Sequence, residues 1–248
     1  MLKPRDIERV LLLFPPVRLS AETMKVASSP LGIAYLAAVI RDRAEVRLFD
    51  AVVMSDHEHE LERGFSWFGS PLSELRGVIE EFQPDLVGIT CIFSSVFPVV
   101  REVAKEVKRV SPEIITIAGG TYPSFMAEHC LTEPDLDLIA QGEGELILQE
   151  LIDRMNRGQS IAGIDGLAYK DGERVVVNPK TRWIEDLDAI PFPARDLLPM
   201  AEYRKRGVPH SLSISGRAFA PLISSRGCPA RCIYCSSTRF WGSRYRFR

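Results

Sequence analysis

The sequence has no apolar run long enough to cross a membrane, and it has almost no net charge. The first apolar run, residues 10–14, ends at Pro15-Pro16, whereas a membrane helix needs about 20 apolar residues. The N-terminus also lacks the plan of a secretory signal, so we expect a cytoplasmic protein without a membrane span. The formal net charge of -2 gives no overall field that favours nucleic acid, and we expect no nucleic-acid partner.

The glycine fingerprint of dinucleotide-binding folds is also missing. That fingerprint, Gly-x-Gly-x-x-Gly, follows the first strand and places a pyrophosphate on a helix N-terminus. Here no glycine follows the first apolar run before Gly32, and Ile147 stands where Gly142-x-Gly144 would need its third glycine. The sequence therefore argues against a nicotinamide or flavin site.

Cysteine and histidine are scarce, with five and four residues respectively. Cys91 and Cys130 are predicted to be buried, inert thiols, and His57 and His59 to be solvated surface residues. The other three cysteines cluster near the C-terminus. Because thiols stay reduced in the cytoplasm, this odd and clustered set predicts ligands and not disulfides.

Apolar segments of strand length alternate with helix-like segments through the first two thirds of the chain. Such strands, apolar on both faces, are typical of a parallel sheet covered by helices on both sides. The pattern predicts an α/β fold, a doubly wound parallel sheet over residues 1–158. Strands are predicted at 10–14, 46–49, 85–92, 114–118 and 136–140, and helices at 31–43, 72–82, 99–110 and 145–155.

The rest of the chain departs from this alternation. Residues 52–70 are polar and then aromatic, and they predict a long surface loop, either a lid or a solvated insertion. Residues 159–215 predict a β-hairpin with its turn at Asp171-Gly172, and then a proline-rich linker at 183–199 that lies against another part of the chain. A third segment, 216–248, contains one more predicted strand at 221–225.

Small, polar and glycine-rich residues follow the predicted parallel strands. Sheets of this class bind ligands at the carboxyl ends of their strands, where glycine lets a large ligand approach the backbone. The alternative is that each glycine serves only a turn or a helix cap. The candidate residues are Pro30, Leu31, Gly32, Ser94, Ser95, Gly119, Gly120, Thr121, Tyr122, Gly142, Glu143 and Gly144.

Cys228, Cys232 and Cys235 form a Cys-x3-Cys-x2-Cys motif directly after the last predicted strand. Short spacers let one loop wrap a compact inorganic core, and Gly227 permits a tight exit from the strand. A cubane iron-sulfur cluster normally takes four cysteines, so three suggest a cluster with one iron open. Zinc, for which His210 is the nearby fourth ligand, and free thiols are the alternatives.

This motif, with Tyr234 just before its third cysteine, resembles the radical SAM superfamily. The resemblance implies that Cys228, Cys232 and Cys235 hold a [4Fe-4S] cluster whose open iron binds S-adenosyl-L-methionine (SAM), and that Tyr234 packs near the adenine. It also implies an external electron donor such as flavodoxin or ferredoxin, whose electron leads to cleavage of SAM to a 5′-deoxyadenosyl radical.

Five earlier segments are similar, in order, to the cobalamin (B12)-binding domain that is fused to radical SAM enzymes. They are SSPLGIAYLAAVI, PDLVGITCIFSS, IAGGTYPSF, LIAQGEGE and LDAIPFPARDLLP. The resemblance implies that the candidate residues at the strand ends bind cobalamin, with its nucleotide tail passing Ser94, Ser95, Gly119 and Gly120. Other B12 proteins place a histidine under cobalt in an Asp-x-His-x-x-Gly motif, which Asp56-His57-Glu58 does not match. The resemblance thus implies cobalamin without a histidine ligand from the protein.

The same resemblance implies an enzyme, most commonly one that transfers a methyl group to an unreactive carbon of a small-molecule substrate that the sequence does not identify. Ring formation or rearrangement is the alternative within the class. Only residues 236–248 follow the cysteine loop, so we expect the first strand and cluster loop of a truncated radical SAM barrel, inactive alone. Two other hypotheses are a cobalamin-binding module without catalysis and a zinc-stabilised protein that binds nucleic acid through its basic, aromatic tail, 238–248. That tail also resembles the approach to the first barrel helix in the family.

Overall fold

The structure is a computed structural model, and it describes residues 2, 4–20, 27–55, 58–61, 64–206 and 220–248. Within these ranges the centre of the molecule is a sheet with five parallel strands: β1 (Arg9–Phe14), β3 (Glu45–Asp50), β6 (Leu86–Thr90), β7 (Ile115–Gly119) and β8 (Leu138–Ala140). They lie in the order β8-β7-β6-β1-β3. The connections therefore reverse direction between β1 and β6, and this switch point is where doubly wound sheets bind ligands. The predicted fold class is confirmed.

The predicted hairpin consists of β9 (Leu167–Asp171) and β10 (Arg174–Val177). It does not stand apart from the first domain, because β9 pairs antiparallel with β8 and extends the sheet, with Ile139 opposite Ala168. Leu167, Ala168 and Tyr169 are buried, so the hairpin covers an edge that β8 would otherwise expose.

Helices cover both faces of the sheet, as predicted. The helices α1 (Leu31–Ile40) and α7 (Gly144–Asn156) pack on one face, and α3 (Leu72–Phe82) and α4 (Phe97–Val110) pack on the other. None of the helices in the described ranges is long and apolar enough to span a membrane. The short helices are α2 (Ala51–Met54), α5 (Thr121–Phe125), α6 (Ala127–Cys130), α8 (Met200–Arg206) and α9 (Ser237–Trp241).

A buried carboxylate ties α4 to α3. Glu106 on α4 is buried and pairs with Arg76 on α3 and, at 2.9 Å, with Arg109 one turn further along α4. Burial alone would raise the pKa of Glu106, but the hydrogen bonds from both arginines outweigh it and hold the pKa below its usual value. The charged form of Glu106 therefore contributes to the stability of this face.

The prediction of a long surface loop over residues 52–70 is wrong. This stretch contains α2, β4 (Glu58–Glu60) and β5 (Phe65–Phe68), and β5 lies between β4 and β2 (Val17–Ser20) in a small antiparallel sheet. Trp67 is only 4% exposed because it packs into the core on the α3 and α4 side. Its burial, together with pairing to a strand about 50 residues earlier, gives the stretch regular structure.

The proline-rich linker at 183–199 is irregular apart from a 3-10 turn at Arg195–Leu197. It lies against α1, where Ala194 N donates a hydrogen bond to Ala34 O at 2.9 Å, and Leu187 and Ile190 are buried in the core. This confirms the prediction that the linker packs on another part of the chain.

The last predicted strand is shorter than expected. Only Ser225–Arg226 (β11) forms strand pairing, and its antiparallel partner is Arg246–Phe247 (β12). Residues 221–224 have no strand neighbour in the part of the chain that the structure describes. The strand predicted over 221–225 is therefore confirmed only at Ser225, because an apolar run forms a strand only where another strand offers its hydrogen-bonding edge.

Candidate functional site

A cavity of about 670 Å³ lies at the switch point, between the sheet and helices α1 and α7. The strands contribute Leu12, Gly88 and Ile117 to its walls, and α1 contributes Leu31 and Tyr35. Most of these side chains are apolar, and the cavity opens at the carboxyl ends of β1, β6 and β7. It therefore has the position and the lining of a ligand site in a doubly wound fold.

Two positions that line this cavity require glycine. A Cβ atom on Gly88 would lie 2.7 Å from Leu12 Cδ2, inside contact distance. Gly120 has a φ of +109°, and a Cβ there would lie 2.6 Å from the carbonyl oxygen of Cys91. A side chain at either position would push its neighbours out of place.

Ser29 supplies an unpartnered polar atom at the rim of the cavity. It precedes α1, it is 5% exposed, and its hydroxyl has no hydrogen-bond partner among the described residues. A buried hydroxyl without a partner costs free energy. This position therefore suits a hydrogen-bonding atom of a bound molecule.

Asp50, at the end of β3, is a second polar residue of the cavity. Its carboxylate accepts hydrogen bonds from Val52 N at 2.9 Å, which caps α2, and from the Tyr203 hydroxyl at 2.5 Å. Burial, followed by the nearby Asp50 charge, raises the pKa of Tyr203 far above its usual value. Tyr203 therefore stays protonated and anchors α8, in the segment that leads to the cysteines, on the end of β3.

The C-terminal segment closes another side of the cavity. Pro221, Ile223, Arg226, Phe240 and Trp241 all line it. Residues on both sides of the cysteine motif thus form part of the wall of this cavity.

Four buried charged side chains join these two parts, and we call them the ion network: Glu143, Glu145, Arg226 and Arg246. Arg226 donates from Nη1 to Glu143 at 3.1 Å and from Nη2 to Glu145 at 2.6 Å. Arg246 Nη1 lies 2.9 and 3.0 Å from the two carboxylate oxygens of Glu143. No side chain of the four is more than 7% exposed. Burial would lower the pKa of Arg226, but the two carboxylates outweigh it and raise the pKa, so Arg226 stays charged.

The cysteine motif forms a loop between β11 and α9. Gly227 has a φ of +90°, and a Cβ there would collide with the carbonyl oxygen of Arg244. Cys228 N donates to Gly242 O at 3.1 Å, and the Thr238 hydroxyl donates to Cys228 O at 3.1 Å. These bonds fix the start of the loop, as its predicted tight exit from the strand requires.

The three motif thiols are accessible. Cys228 is partly buried, Cys232 and Cys235 are exposed, and none forms a disulfide. Hydrogen bonds from the hydroxyl and backbone of Ser237 lower the pKa of Cys235. Across the described ranges, no three His, Cys, Asp or Glu side chains are grouped closely enough to hold a metal ion. Three free thiols within one short loop nevertheless have the donor chemistry of a cluster site, and the loop must close around the cluster to use it.

The basic, aromatic tail makes its contacts within the chain. Arg248 donates to Ile190 O at 2.7 Å and lies 4.3 Å from the centre of the Phe192 ring. Arg239 stacks on Phe125 at 5.3 Å. These contacts with the linker and the sheet domain account for the mixture of arginine and aromatic residues.

Comparison with known proteins identifies the family. The B12 binding domain family matches residues 18–152, more than half of the chain. An uncharacterized methyltransferase of Pyrococcus horikoshii is 33% identical over 242 residues, which cover 97% of this chain and 48% of that protein. The anaerobic magnesium-protoporphyrin IX monomethyl ester cyclase of Rubrivivax gelatinosus is 30% identical over 248 residues, 97% of this chain and 40% of the cyclase. The cobalamin-dependent SAM radical enzyme OxsB, solved with aqua-cobalamin and SAM, shares the fold with a TM-score of 0.72 at 22% identity, over 97% of this chain and 30% of OxsB.

The chain belongs to the cobalamin-binding radical SAM family. It spans about half the length, or less, of the curated relatives that it matches.

The cavity fits the cobalamin that this family's domain binds. Its glycine-containing floor and the unpartnered Ser29 hydroxyl suit a ligand that has polar atoms along its edge. Among the described residues that line the cavity, none is a histidine. His59 lies on β4, exposed and stacked on Trp67 at 5.8 Å, and His57 and His210 lie outside the described residues.

Most of the residues predicted at the strand ends meet at this cavity, and three do not. Ser94 and Ser95 are exposed on a 3-10 turn after β6, and neither lines the cavity. Tyr122 packs against Phe97 at 5.2 Å, on the opposite face of the sheet. The predicted residues that do line it are Pro30, Leu31, Gly32, Gly119, Gly120, Thr121, Gly142, Glu143 and Gly144.

Glu143 lines the cavity, but both of its carboxylate oxygens are taken up by the ion network and by Ile184 N at 2.8 Å. Tyr234 is 89% exposed on the cysteine loop, so its predicted place near an adenine stays a prediction. Cys91 and Cys130 are buried as predicted, and burial raises the pKa of each thiol to about 12.

Several residues that line the cavity were not predicted from the sequence. Gly88 interrupts an otherwise apolar strand, which is a known sign of close approach by another group, and this signal was available. Leu12 and Tyr35 looked like ordinary core residues. Arg226 and Trp241 reach the cavity only through tertiary folding, and no local pattern predicts that.

Proposed function

We propose that this chain is the N-terminal part of a cobalamin-dependent radical SAM enzyme that transfers a methyl group to an unreactive carbon. Cobalamin would occupy the cavity at the switch point, and Cys228, Cys232 and Cys235 would hold a [4Fe-4S] cluster that binds SAM. When bound, the cluster with SAM supplies a radical and cobalamin supplies the methyl group. The substrate is a small molecule whose contacts the described residues do not define.

One observation carries this proposal: the segment that bears the cysteine motif forms a wall of the cobalamin cavity. Ile223, Arg226 and Trp241 flank the three cysteines in sequence, and all line the cavity. Chemistry that passes from one cofactor to the other needs both to face a common space. Because Arg226, two residues before Cys228, lines the cavity, the start of the cysteine loop lies beside it, which supports the proposal.

The chain's own residues would bind and orient the two groups. Gly88 leaves room for the bulk of cobalamin, and the Ser29 hydroxyl offers a hydrogen bond. Apolar side chains such as Leu12 and Ile117 keep water from the interior of the cavity. Thr238 and Gly242 hold the start of the cysteine loop.

The proposal includes a reducing, cytoplasmic setting and an external electron donor such as flavodoxin or ferredoxin. In an oxidising compartment, the exposed thiols of the cysteine loop would be oxidised. Ring formation is the second candidate reaction, because the Rubrivivax gelatinosus relative at 30% identity is a cyclase.

The test measures metals in the chain after oxygen-free reconstitution with iron, sulfide and hydroxocobalamin. We expect about four iron atoms and one cobalt per chain. The matched variant replaces Cys228, Cys232 and Cys235 with alanine, and should lose the iron while it keeps the cobalt. The control replaces Cys91 and Cys130 with serine, and should keep both metals. Retention of iron by the first variant, or bound zinc in place of iron and cobalt, would contradict the proposal.

Catalysis is tested separately on the full-length protein. Formation of 5′-deoxyadenosine from SAM by the full-length protein, and none by the triple cysteine variant, is the expected result. If the cobalt-loaded protein forms none with a chemical reductant, the chain is a cobalamin-binding module without radical chemistry. Methylation of the substrate distinguishes methyl transfer from ring formation, because only methyl transfer adds a carbon to the product.

A further inference from the structure

The ion network links the cavity of the sheet domain to the cysteine loop. Glu143 immediately precedes α7 and Glu145 lies in its first turn, beside the cavity, whereas Arg226 lies on β11 two residues before Cys228. The two carboxylates hold one guanidinium between them, at 3.1 and 2.6 Å. One side chain, that of Arg226, thus binds the start of the cysteine loop to the N-terminus of α7.

Arg226 also lies over two aromatic rings, in addition to its bonds to the carboxylates. Its guanidinium carbon lies 5.5 Å from the ring centre of Tyr35 on α1 and 5.2 Å from that of Trp241 on α9. Tyr35 and Trp241 both line the cavity. Only an arginine has the planar fork that binds two carboxylates and stacks on rings at once, so a lysine would keep the charge but lose the geometry.

The network buries two positive and two negative side chains, so it carries no net charge. Loss of one member leaves an unpaired charge among buried side chains, and such a charge is costly. Arg246 strengthens this dependence, because it also bonds to Glu143 and to the carbonyl oxygens of Ile184 and Trp241. We therefore expect the network to open when any member is lost.

We infer that Arg226 is a positioning residue that couples occupancy of the cofactor cavity to the placement of the cysteine loop. This inference rests on the proposed function, because it takes the occupant of the cavity to be cobalamin. A molecule in the cavity contacts the walls that carry Tyr35, Trp241 and the ion network, and so it steadies β11 and Cys228. Because coupling between two sites is reciprocal, an ordered cysteine loop also favours binding in the cavity.

The first experiment follows amide hydrogen exchange of the whole chain without cofactors. In Arg226→Gln we expect residues 225–248 to exchange at least about 10-fold faster than in the unmodified chain, with an intermediate change in Arg226→Lys. The control is Arg244→Gln, which removes an equal charge from an exposed pair with Glu185 on the same tail and should leave exchange unchanged. Strands β1, β6 and β7 serve as the reference.

Equal exchange of residues 225–248 in the Arg226→Gln variant and the unmodified chain would overturn the positioning role. If the reference strands also lose protection in Arg226→Gln, that variant unfolds, and Arg226→Lys then decides. Faster exchange of the tail with an intact reference in Arg226→Lys supports the inference, and an unchanged tail overturns it.

The second experiment repeats the exchange with saturating hydroxocobalamin. In the unmodified chain we expect residues 225–248 to exchange about fivefold more slowly or better. In Arg226→Gln, hydroxocobalamin should still bind at saturation but should no longer protect the tail. Equal protection in both would refute coupling through Arg226. Failure of the unmodified chain to bind hydroxocobalamin would overturn the proposed function, while the first experiment would still decide the positioning role.

Discussion

Replacement of Gly88 with alanine tests whether cobalamin lies in the cavity between the sheet and α1. The new Cβ would lie 2.7 Å from Leu12 Cδ2, whereas carbon atoms pack at about 3.5–4.0 Å. Leu12 must therefore move by about 1 Å. Because Leu12 lines the cavity, its movement takes space from the ligand.

The structure sets the size of the effect. Added bulk in a packed core costs about 1–3 kcal/mol, and the chain without ligand should lose about 1 kcal/mol, the low end, because Leu12 has a cavity to move into. When cobalamin is bound, that space is filled. The displaced Leu12 side chain then competes with the ligand, and the cost appears as a loss of binding free energy. A loss of about 1–3 kcal/mol raises the Kd about 5- to 150-fold.

Urea unfolding followed by circular dichroism measures the first effect, and equilibrium dialysis with hydroxocobalamin measures the second. Gly77→Ala is the matched control, because Gly77 is exposed on α3 and a Cβ there meets nothing within 4 Å. Alanine should stabilise that helix by about 1 kcal/mol and leave binding unchanged. If Gly88→Ala binds hydroxocobalamin as tightly as the unmodified chain, cobalamin does not contact this floor and the reasoning is refuted.

Three further predictions concern stability and reactivity. Tyr203→Phe removes a buried hydrogen bond to the Asp50 carboxylate and should lower the free energy of unfolding in urea by about 1.5–3 kcal/mol; an unchanged midpoint would contradict this. Glu106 has a lowered pKa in the folded chain, so its stabilising effect is complete above its unfolded pKa of about 4.3 and is lost as the pH falls through the folded value. Glu106→Gln should therefore flatten the acid side of the stability profile, and a slope equal to that of the unmodified chain would refute this role. Cys91 and Cys130, each with a pKa raised to about 12, should stay unreactive to a thiol reagent at pH 8 while the three motif cysteines react, and five fast thiols in the folded chain would show that burial does not protect them.

The sequence predicted the elements whose signal is local. The helix at Leu72–Phe82 has the bounds that the sequence predicted, and β1 follows directly from a run of apolar residues that ends at two prolines. The small sheet was missed because its pairing is not local. β5 pairs with β2, which lies far earlier in the chain, and an aromatic stretch such as residues 65–68 has no regular partner in its own neighbourhood.

The candidate site likewise contains residues that a local pattern predicts and residues that only the fold brings together. Glycine-rich strand ends predicted where a ligand would meet the sheet, because the topology of parallel strands brings those ends to one edge. Ser94, Ser95 and Tyr122 follow the same strands but point away from the cavity, since a turn or a short helix after a strand can leave on either face. The sequence could place residues at the edge, and only the fold decided which face they joined.

Arg226 illustrates what no local pattern contains. Its partners Glu143 and Glu145 lie 83 and 81 residues away in the sequence. It also lies in a segment whose clearest sequence signal is the cysteine motif. Burial of four charged side chains is favourable only when every charge has its partner, so the network forms as a unit or not at all. That requirement makes the contact between the sheet domain and the cysteine loop sensitive to the loss of any one charge. Apolar side chains at this contact would tolerate a shift of β11 by repacking. The ion network resists such a shift, because the shift would unpair buried charges.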